Sequence, residues 1–198
     1  IQRRAMKYDK NGDYHYDVIS AFIKSMRGSD PDATLHWLAR MMDAGENPEF
    51  IARRIIICAA EDVGLADPQA LQVAVTAMQA AHYVGWPEAR IPIAMAALYV
   101  ATAPKSNAAY LGIDAALADM HSKNFTGVPL HLRDAHYKGA KEFGYGLDYQ
   151  YPHSFPGGWV AQQYLPEELK GACYYKPTGR GHEKEIMTYL EDKKPKKD

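Results

Sequence analysis

The sequence predicts a mainly α protein: a compact helical array carrying an irregular, aromatic-rich C-terminal arm. Three observations predict it. First, glycine is followed within a few residues by proline at Gly28 and Pro31, Gly45 and Pro48, Gly64 and Pro68, and Gly85 and Pro87. Pro104 keeps the beat, so the proline spacings are 17, 20, 19 and 17 residues. Glycine relieves the left-handed conformation just past a helix end, and proline suits the first helical position, where its missing N–H costs nothing. Second, Ile93 to Val100 is apolar on every helical face. Third, glycine, proline and tyrosine rise after Lys123 while helical periodicity fades. Tightly joined helices over residues 28–120 leave no room between elements for a catalytic loop, which points function toward surfaces.

Each element has its own signal. Asp13 can cap a first helix whose stripe is Val18, Ile19, Phe22, Ile23 and Met26. Asp30, Pro31 and Asp32 start the second, with Leu35, Leu38, Met41 and Met42 facing inward. Asn47, Pro48 and Glu49 start the third. Glu49 stands four residues before Arg53, at the spacing of a surface ion pair. Ile55 to Ala60 is apolar all round and should be buried between neighbours. Asp67 and Pro68 open a fourth helix that runs through Leu71, Val75 and Met78 to Tyr83. Pro92 would break an established helix, so a short turn at 87–90 should precede a fifth helix from Ile91 through Ala101. That helix should be central, with Leu98 in the core. The sixth begins near Pro104 and continues to about Met120.

The arm over 124–180 holds Tyr145, Tyr149, Tyr151, Phe155, Trp159, Tyr174 and Tyr175, with turns and scope for a short β-hairpin. His182 to Leu190 reads as a last helix, ahead of a charged tail. The resulting division is 1–13, 14–123, 124–190 and 191–198.

At 198 residues the chain can hold one domain with an appendage. A chain of this length buries roughly 70% of its unfolded surface without staples. A net charge of −1 argues against a dedicated nucleic-acid binder. Cys58 and Cys173 give no disulfide framework, and Cys58 in an apolar run behaves as a small hydrophobe, consistent with a reducing compartment. No apolar run approaches the ~18 residues of a membrane span. The chain opens Ile1-Gln2-Arg3-Arg4 and reads as a piece of a longer protein whose remainder carries the chemistry.

Phosphate-loop, dinucleotide-binding, H-E-x-x-H and C-x-x-C patterns are all missing from the sequence. His131, Asp134 and His136 form the densest set of ligand-type residues, but three residues in one turn rarely supply a full metal site. Glu61 and Asp62, as neighbours, point in different directions and read as a polar helix terminus rather than an acid–base pair. Arg53 and Arg54, with Arg40 earlier, can meet phosphate or an acidic partner, against the plainer reading of a solvated face. The aromatic arm lacks the basic groove that accompanies base stacking and should pack on its own helices.

Several runs carry a resemblance. They are Gly28-Ser29-Asp30-Pro31-Asp32-Ala33, Trp37-Leu38-Ala39-Arg40-Met41, Phe50-Ile51-Ala52-Arg53-Arg54, and Ala60-Glu61-Asp62-Val63-Gly64-Leu65-Ala66-Asp67-Pro68. Ala103-Pro104-Lys105-Ser106-Asn107, Val128-Pro129-Leu130-His131-Leu132-Arg133-Asp134-Ala135 and Gln163-Tyr164-Leu165-Pro166 continue it. Over nearly its whole length the chain resembles the C-terminal region of the RarA/MgsA replication-associated recombination ATPases, relatives of the Werner helicase-interacting protein.

The resemblance implies a parent AAA+ ATPase of the clamp-loader clade, DNA-dependent and cytoplasmic (nucleoid-associated). Its ATP and Mg would sit in a module ahead of this chain, with residues 1–13 ending the lid. The present chain would be the non-catalytic, collar-like domain that assembles a homotetramer. Single-strand-binding protein and DNA at stalled forks would be met through the full-length parent. No nucleotide-binding residue can be carried over, so catalytic, cofactor and metal residues are expected to be none here. Two other classes stand beside this one: a stand-alone helical nucleic-acid- or protein-binding module, and a small hydrolase using His131, Asp134 and His136. Self-association should use the helical block around residues 68–120. Arg53, Arg54, Tyr83 and Trp86 are the interaction candidates, the two aromatics because such rings often anchor interfaces.

Overall fold

A computed structural model describes residues 13–122, 124, 127–136 and 143–193 of the chain. Seven α-helices occur among them: α1 (Asp13–Arg27), α2 (Pro31–Asp43), α3 (Pro48–Cys58), α4 (Gln69–Val84), α5 (Arg90–Thr102), α6 (Ala108–Ser122) and α7 (Glu183–Asp192). No strand occurs among the described residues. The chain divides into two compact units, residues 1–111 with 176–187, and residues 112–175 with 188–198.

Helix starts in the first unit follow the sequence signals. The Asp30 carboxylate accepts the Ala33 N–H at 2.9 Å, and Asn47 Oδ1 accepts the N–H groups of Glu49 and Phe50 at 2.7 and 3.3 Å. These bonds satisfy donors that a first helical turn leaves open. Asp67 does two jobs. One oxygen accepts the Gln69 N–H at 3.1 Å, and the other accepts the Tyr99 hydroxyl of α5 at 2.8 Å. The latter bond holds the Tyr99 hydroxyl above its ordinary range. Glycine stops hold at Gly45 and Gly85, with φ of 73° and 67°. At the first junction the left-handed residue is Ser29, with φ 60°, rather than Gly28. The capping role expected of the Asp13 side chain lies outside the described residues.

The core gathers Val18, Ile19, Phe22 and Met26 from α1, Leu38 and Met41 from α2, Ile51 and Ile55 from α3, and Ile93 and Val100 from α5. Helix α5 packs against α1, α2, α3 and α4 and is the central helix, as its apolar sequence predicts. Pro92 is its third residue, inside the first turn, where no intrahelical bond is lost. The burial is less complete than the sequence suggests. Ile91 and Met95 are exposed, and Leu98 is only half-buried rather than in the core. Leu35 of α2 likewise points outward, and Ile57 and Ala60 interrupt the expected burial of the α3 segment.

Helix α4 turns its small residues inward. Leu71 is exposed, and Val75 and Met78 are half-buried. The buried residues are Ala70, Ala74, Ala77 and Ala81, one stripe at helical spacing. They meet the buried alanines Ala96, Ala97 and Ala101 of α5 in the same core. The packing selects small residues where two helix backbones approach.

Past Cys58 the helix widens into a π turn, Ala59–Val63, and then tightens into a 3-10 turn, Gly64–Ala66. A later segment returns to this point: the His182 N–H donates to the Ala66 carbonyl at 2.8 Å. Gly181 makes that approach, with φ 54°. A Cβ there would collide with the Ala66 carbonyl oxygen and lie 2.8 Å from Pro104 Cγ. The fully buried Glu183 carboxylate accepts the Thr178 N–H at 2.6 Å and its hydroxyl at 2.7 Å, which shapes the returning turn.

The second unit contains most of α6 and 3-10 turns at Leu130–Leu132, Pro152–Ser154, Pro156–Gly158 and Glu167–Leu169. The anticipated β-hairpin is not among its described residues. Side chains take the place of a ladder: Gln162 Nε2 donates to the Gln150 carbonyl at 2.7 Å, and the Gln150 N–H donates to Gln162 Oε1 at 3.3 Å. Within this unit Gly112 lies against the Tyr174 carbonyl, and the Tyr174 hydroxyl donates to Asp119 at 2.7 Å.

Two outcomes are expected in thermal melts. Gly181→Ala should cost about 3 kcal/mol or more, from backbone strain plus the collision, while Gly85→Ala, with open space around its Cβ, should cost only about 1 kcal/mol. Ala74→Leu should overpack the α4–α5 contact at a cost of about 1–3 kcal/mol, and Leu71→Ala should stay within about 0.5 kcal/mol. The opposite order for the second pair would restore the large-residue face.

Candidate interaction surface

Of the four residues singled out from sequence, Arg53 and Arg54 lie in the middle of α3, and Tyr83 and Trp86 at and just past the end of α4. Phe50, half-buried in the first turn of α3, organises the first two. Arg53 and Arg54 follow it at i+3 and i+4, the spacing at which helical side chains meet. Their guanidinium carbons lie 5.9 and 5.1 Å from the Phe50 ring centroid. Arg54 Nε is shielded from solvent and has no hydrogen-bond partner. The Glu49–Arg53 ion pair expected from spacing does not form. Glu49 faces His82 of α4 instead, with Oε1 3.5 Å from Nδ1. Tertiary packing brings the two helix ends together and gives Glu49 a nearer partner.

Two adjoining clefts lie on either side of this Glu49–His82 pair. One, of ≈ 310 Å³, is lined by Glu49, Arg53, Met78, Gln79, His82 and Tyr83. The other, of ≈ 240 Å³, is bounded by Asn47, Pro48, Met78, Ala81, Gly85 and Trp86, with the same Glu49 and His82. Arg53, Tyr83 and Trp86 are therefore brought to one surface. Arg54 lines neither cleft and stands beside Phe50. Tyr83 is 85% exposed and Trp86 43%. Arg40, the third arginine considered, stacks on Trp37 of α2 at 5.1 Å, away from this group.

The acidic pair Glu61–Asp62 lies at the polar terminus that follows α3, but it is not left to solvent. The π turn swings it against the end of α1, where Arg27 Nε donates to Asp62 at 2.6 Å and Arg27 Nη2 lies 3.3 Å from Glu61. Asp62, 8% exposed, also accepts the Cys58 thiol at 3.3 Å. Burial, with the Asp62 charge behind it, pushes the Cys58 thiol far above its ordinary value. Arg27 is raised in turn by its bond to Asp62. Nearby, Lys105 Nζ donates to the carbonyls of Ala103 and Ala101 at 2.7 and 3.0 Å and to Ser29 Oγ at 3.1 Å. Burial lowers its pKa. This hub joins α1, the π turn and the end of α5. Sequence reasoning missed it because Arg27 and Lys105 lie 35 and 43 residues from Asp62 (62 − 27 and 105 − 62).

His131, Asp134 and His136 do not converge. His131 Nε2 is 2.7 Å from the Gln163 carbonyl, whereas Asp134 is paired with His136 on the surface. The His136 N–H and ring hold the Asp134 carboxyl below its usual range. Among the described residues no three His, Cys, Asp or Glu side chains form a metal-binding group. No described helix is long and apolar enough to cross a membrane.

The family model for the MgsA AAA+ ATPase C terminus matches residues 28–194, and that for an AAA C-terminal domain matches residues 1–27. The chain belongs to the MgsA AAA+ ATPase C-terminal family. It is 52% identical to replication-associated recombination protein A of Bacillus subtilis, over 98% of this chain and 46% of the relative. It is 47% identical to the protein of the same name from Escherichia coli K12, over 92% of this chain and 41% of the relative. ATPase WRNIP1 of Dictyostelium discoideum is 44% identical over 88% of this chain and 20% of its own length. The chain thus spans less than half the length of these relatives, and the MgsA-type C-terminal domain is what it contains.

The two cysteines offer a direct check on the hub. In the folded protein Cys173, exposed, should react quickly with a thiol reagent, and Cys58 should react only on unfolding. A Cys173→Ser variant that still titrates one fast thiol would show the hub to be open.

Proposed function

We propose that this domain is the assembly domain of a clamp-loader-clade AAA+ ATPase that acts in DNA replication, recombination and repair at stalled forks. The domain itself is non-catalytic. ATP and Mg belong to a module ahead of it, and the parent is a DNA-dependent ATPase of the nucleoid. The names of the relatives, replication-associated recombination protein A among them, support the setting. Residues 1–13 close the lid, 14–123 form the assembling helical part, 124–190 the arm and terminal helix, and 191–198 a charged tail.

The observation that carries the reading is an exposed apolar stripe on α6. Tyr110, Ile113, Leu117 and Met120 recur at helical spacing, and all are exposed. On its other side α6 is already occupied, by Tyr174 at Gly112 and Asp119. Ile91 and Met95 of α5 add further exposed apolar area. Apolar rows of this length on a soluble domain mark association sites. The parent's homotetramer follows as a closed arrangement with two-fold axes. Single-strand-binding protein and DNA are partners of the whole protein.

Light scattering on the purified chain tests this. A tetramer is expected, and Ile113→Asp with Leu117→Asp should lower the mass to that of a smaller species while leaving circular dichroism unchanged. A chain that stays monomeric at high micromolar concentration and binds single strands with a steep salt dependence would replace assembly by the binding-module reading.

A further inference from the structure

We infer that the Phe50 face, with Arg53 and Arg54 standing on its ring, is the dock for an acidic surface of the AAA+ module that precedes this domain in the same polypeptide. The inference rests on the reading above that such a module is present.

Two guanidinium groups lie beside one aromatic ring; among the described residues neither is ion-paired, and Arg54 Nε is shielded from solvent without a partner. The acidic side chains nearest by sequence are engaged elsewhere: Glu49 with His82 at 3.5 Å and Glu46 with His15 at 3.3 Å. A shielded arginine N–H without an acceptor is costly, and a guanidinium beside a ring retains a fork of further donors. A carboxylate is the group that fork fits, taken in two parallel hydrogen bonds. Beside Arg53 the cleft floored by Met78 and walled by Tyr83 offers apolar contact to the side chains around that carboxylate.

Position selects the occupant. His15, near the start of α1, places its ring 6.0 Å from Phe50, and Tyr16 packs edge-on against His15. The chain therefore enters the domain at this face, through residues that match an AAA C-terminal domain model. The relatives are more than twice as long as the matched region, and the matched family is a C-terminal one. A module tethered at α1 meets this face at millimolar effective concentration, so weak charged contacts suffice.

Zero-length carbodiimide coupling on the full-length protein tests the dock, using Arg53→Lys and Arg54→Lys. Lysine keeps the charge and supplies an amine that couples only to a carboxylate in direct contact; arginine does not couple. The expected result is a cross-linked peptide joining position 53 or 54 to an aspartate or glutamate upstream of residue 1. In the Arg53→Gln/Arg54→Gln double variant, protease cleavage between the modules should become several-fold faster while the light-scattering mass stays unchanged. That unchanged mass keeps the assembly reading separate, and ATP turnover by the full-length protein reports independently on the module itself. Links confined to residues 1–198, or no link at all, would overturn the inference. It would equally fall if the Gln variant lowered the salt slope of oligothymidylate binding by about one per arginine without changing cleavage, since the arginines would then serve phosphate.

Discussion

The helical array depends on the close approach of α4 to α5. Helix α5 touches four other helices, and one central helix can do so only if at least one neighbour lies very near it. Alanines provide this, Ala70, Ala74, Ala77 and Ala81 on α4 opposite a partner rich in Ala96, Ala97 and Ala101. Small side chains bring ridges and grooves together at the short end of interhelical distances. The larger core residues are then free to fill the space toward α1, α2 and α3, where Phe22, Met26, Met41 and Ile55 lie.

Polar groups fix the register of this apolar packing. Asp62 reaches Arg27 of α1 and Cys58 of α3 from a π turn that a regular helix would not place there. Lys105 caps the last carbonyls of α5 and reaches Ser29, so the end of the central helix is tied to the α1–α2 junction. Ser106 adds a backbone bond from its N–H to the Asp62 carbonyl at 2.8 Å. These are interior roles for residues that, in another setting, would suggest chemistry: two acids, a thiol and a lysine. Here each is spent on a neighbouring helix, which suits a domain that works through its surfaces.

Those surfaces are of two kinds. The α6 stripe is apolar and regular, as suits a second copy of the same chain. The Phe50 face is smaller and charged, with aromatic rings beside unpaired guanidinium groups.

Much of the first unit was legible because its signals are local. Caps at Asp30, Asn47 and Asp67, stops at Gly45 and Gly85, and the α1 stripe each depend on residues within a turn or two of one another. The runs quoted at the start likewise identified the family that the comparisons show. Of the candidate surface, the sequence picked out Arg53, Arg54, Tyr83 and Trp86 but paired Glu49 with the wrong side chain. The spacing of Phe50 to Arg53 and Arg54 was available as a signal, whereas the contact of Glu49 with His82, 33 residues further on (82 − 49), was not.

By itself, then, the sequence determined where α1 to α5 begin to within a few residues, because capping and backbone preference are settled locally, whereas α6 starts at Ala108 rather than near Pro104. Tertiary structure alone decided which face of α4 is buried, that Asp62 is interior, that the arm uses glutamine side chains in place of a ladder, and that Gly181 must lie against Ala66. Each of these turns on how closely two distant segments approach, and side-chain volume and hydrogen-bonding partners at such a contact are set by both segments together.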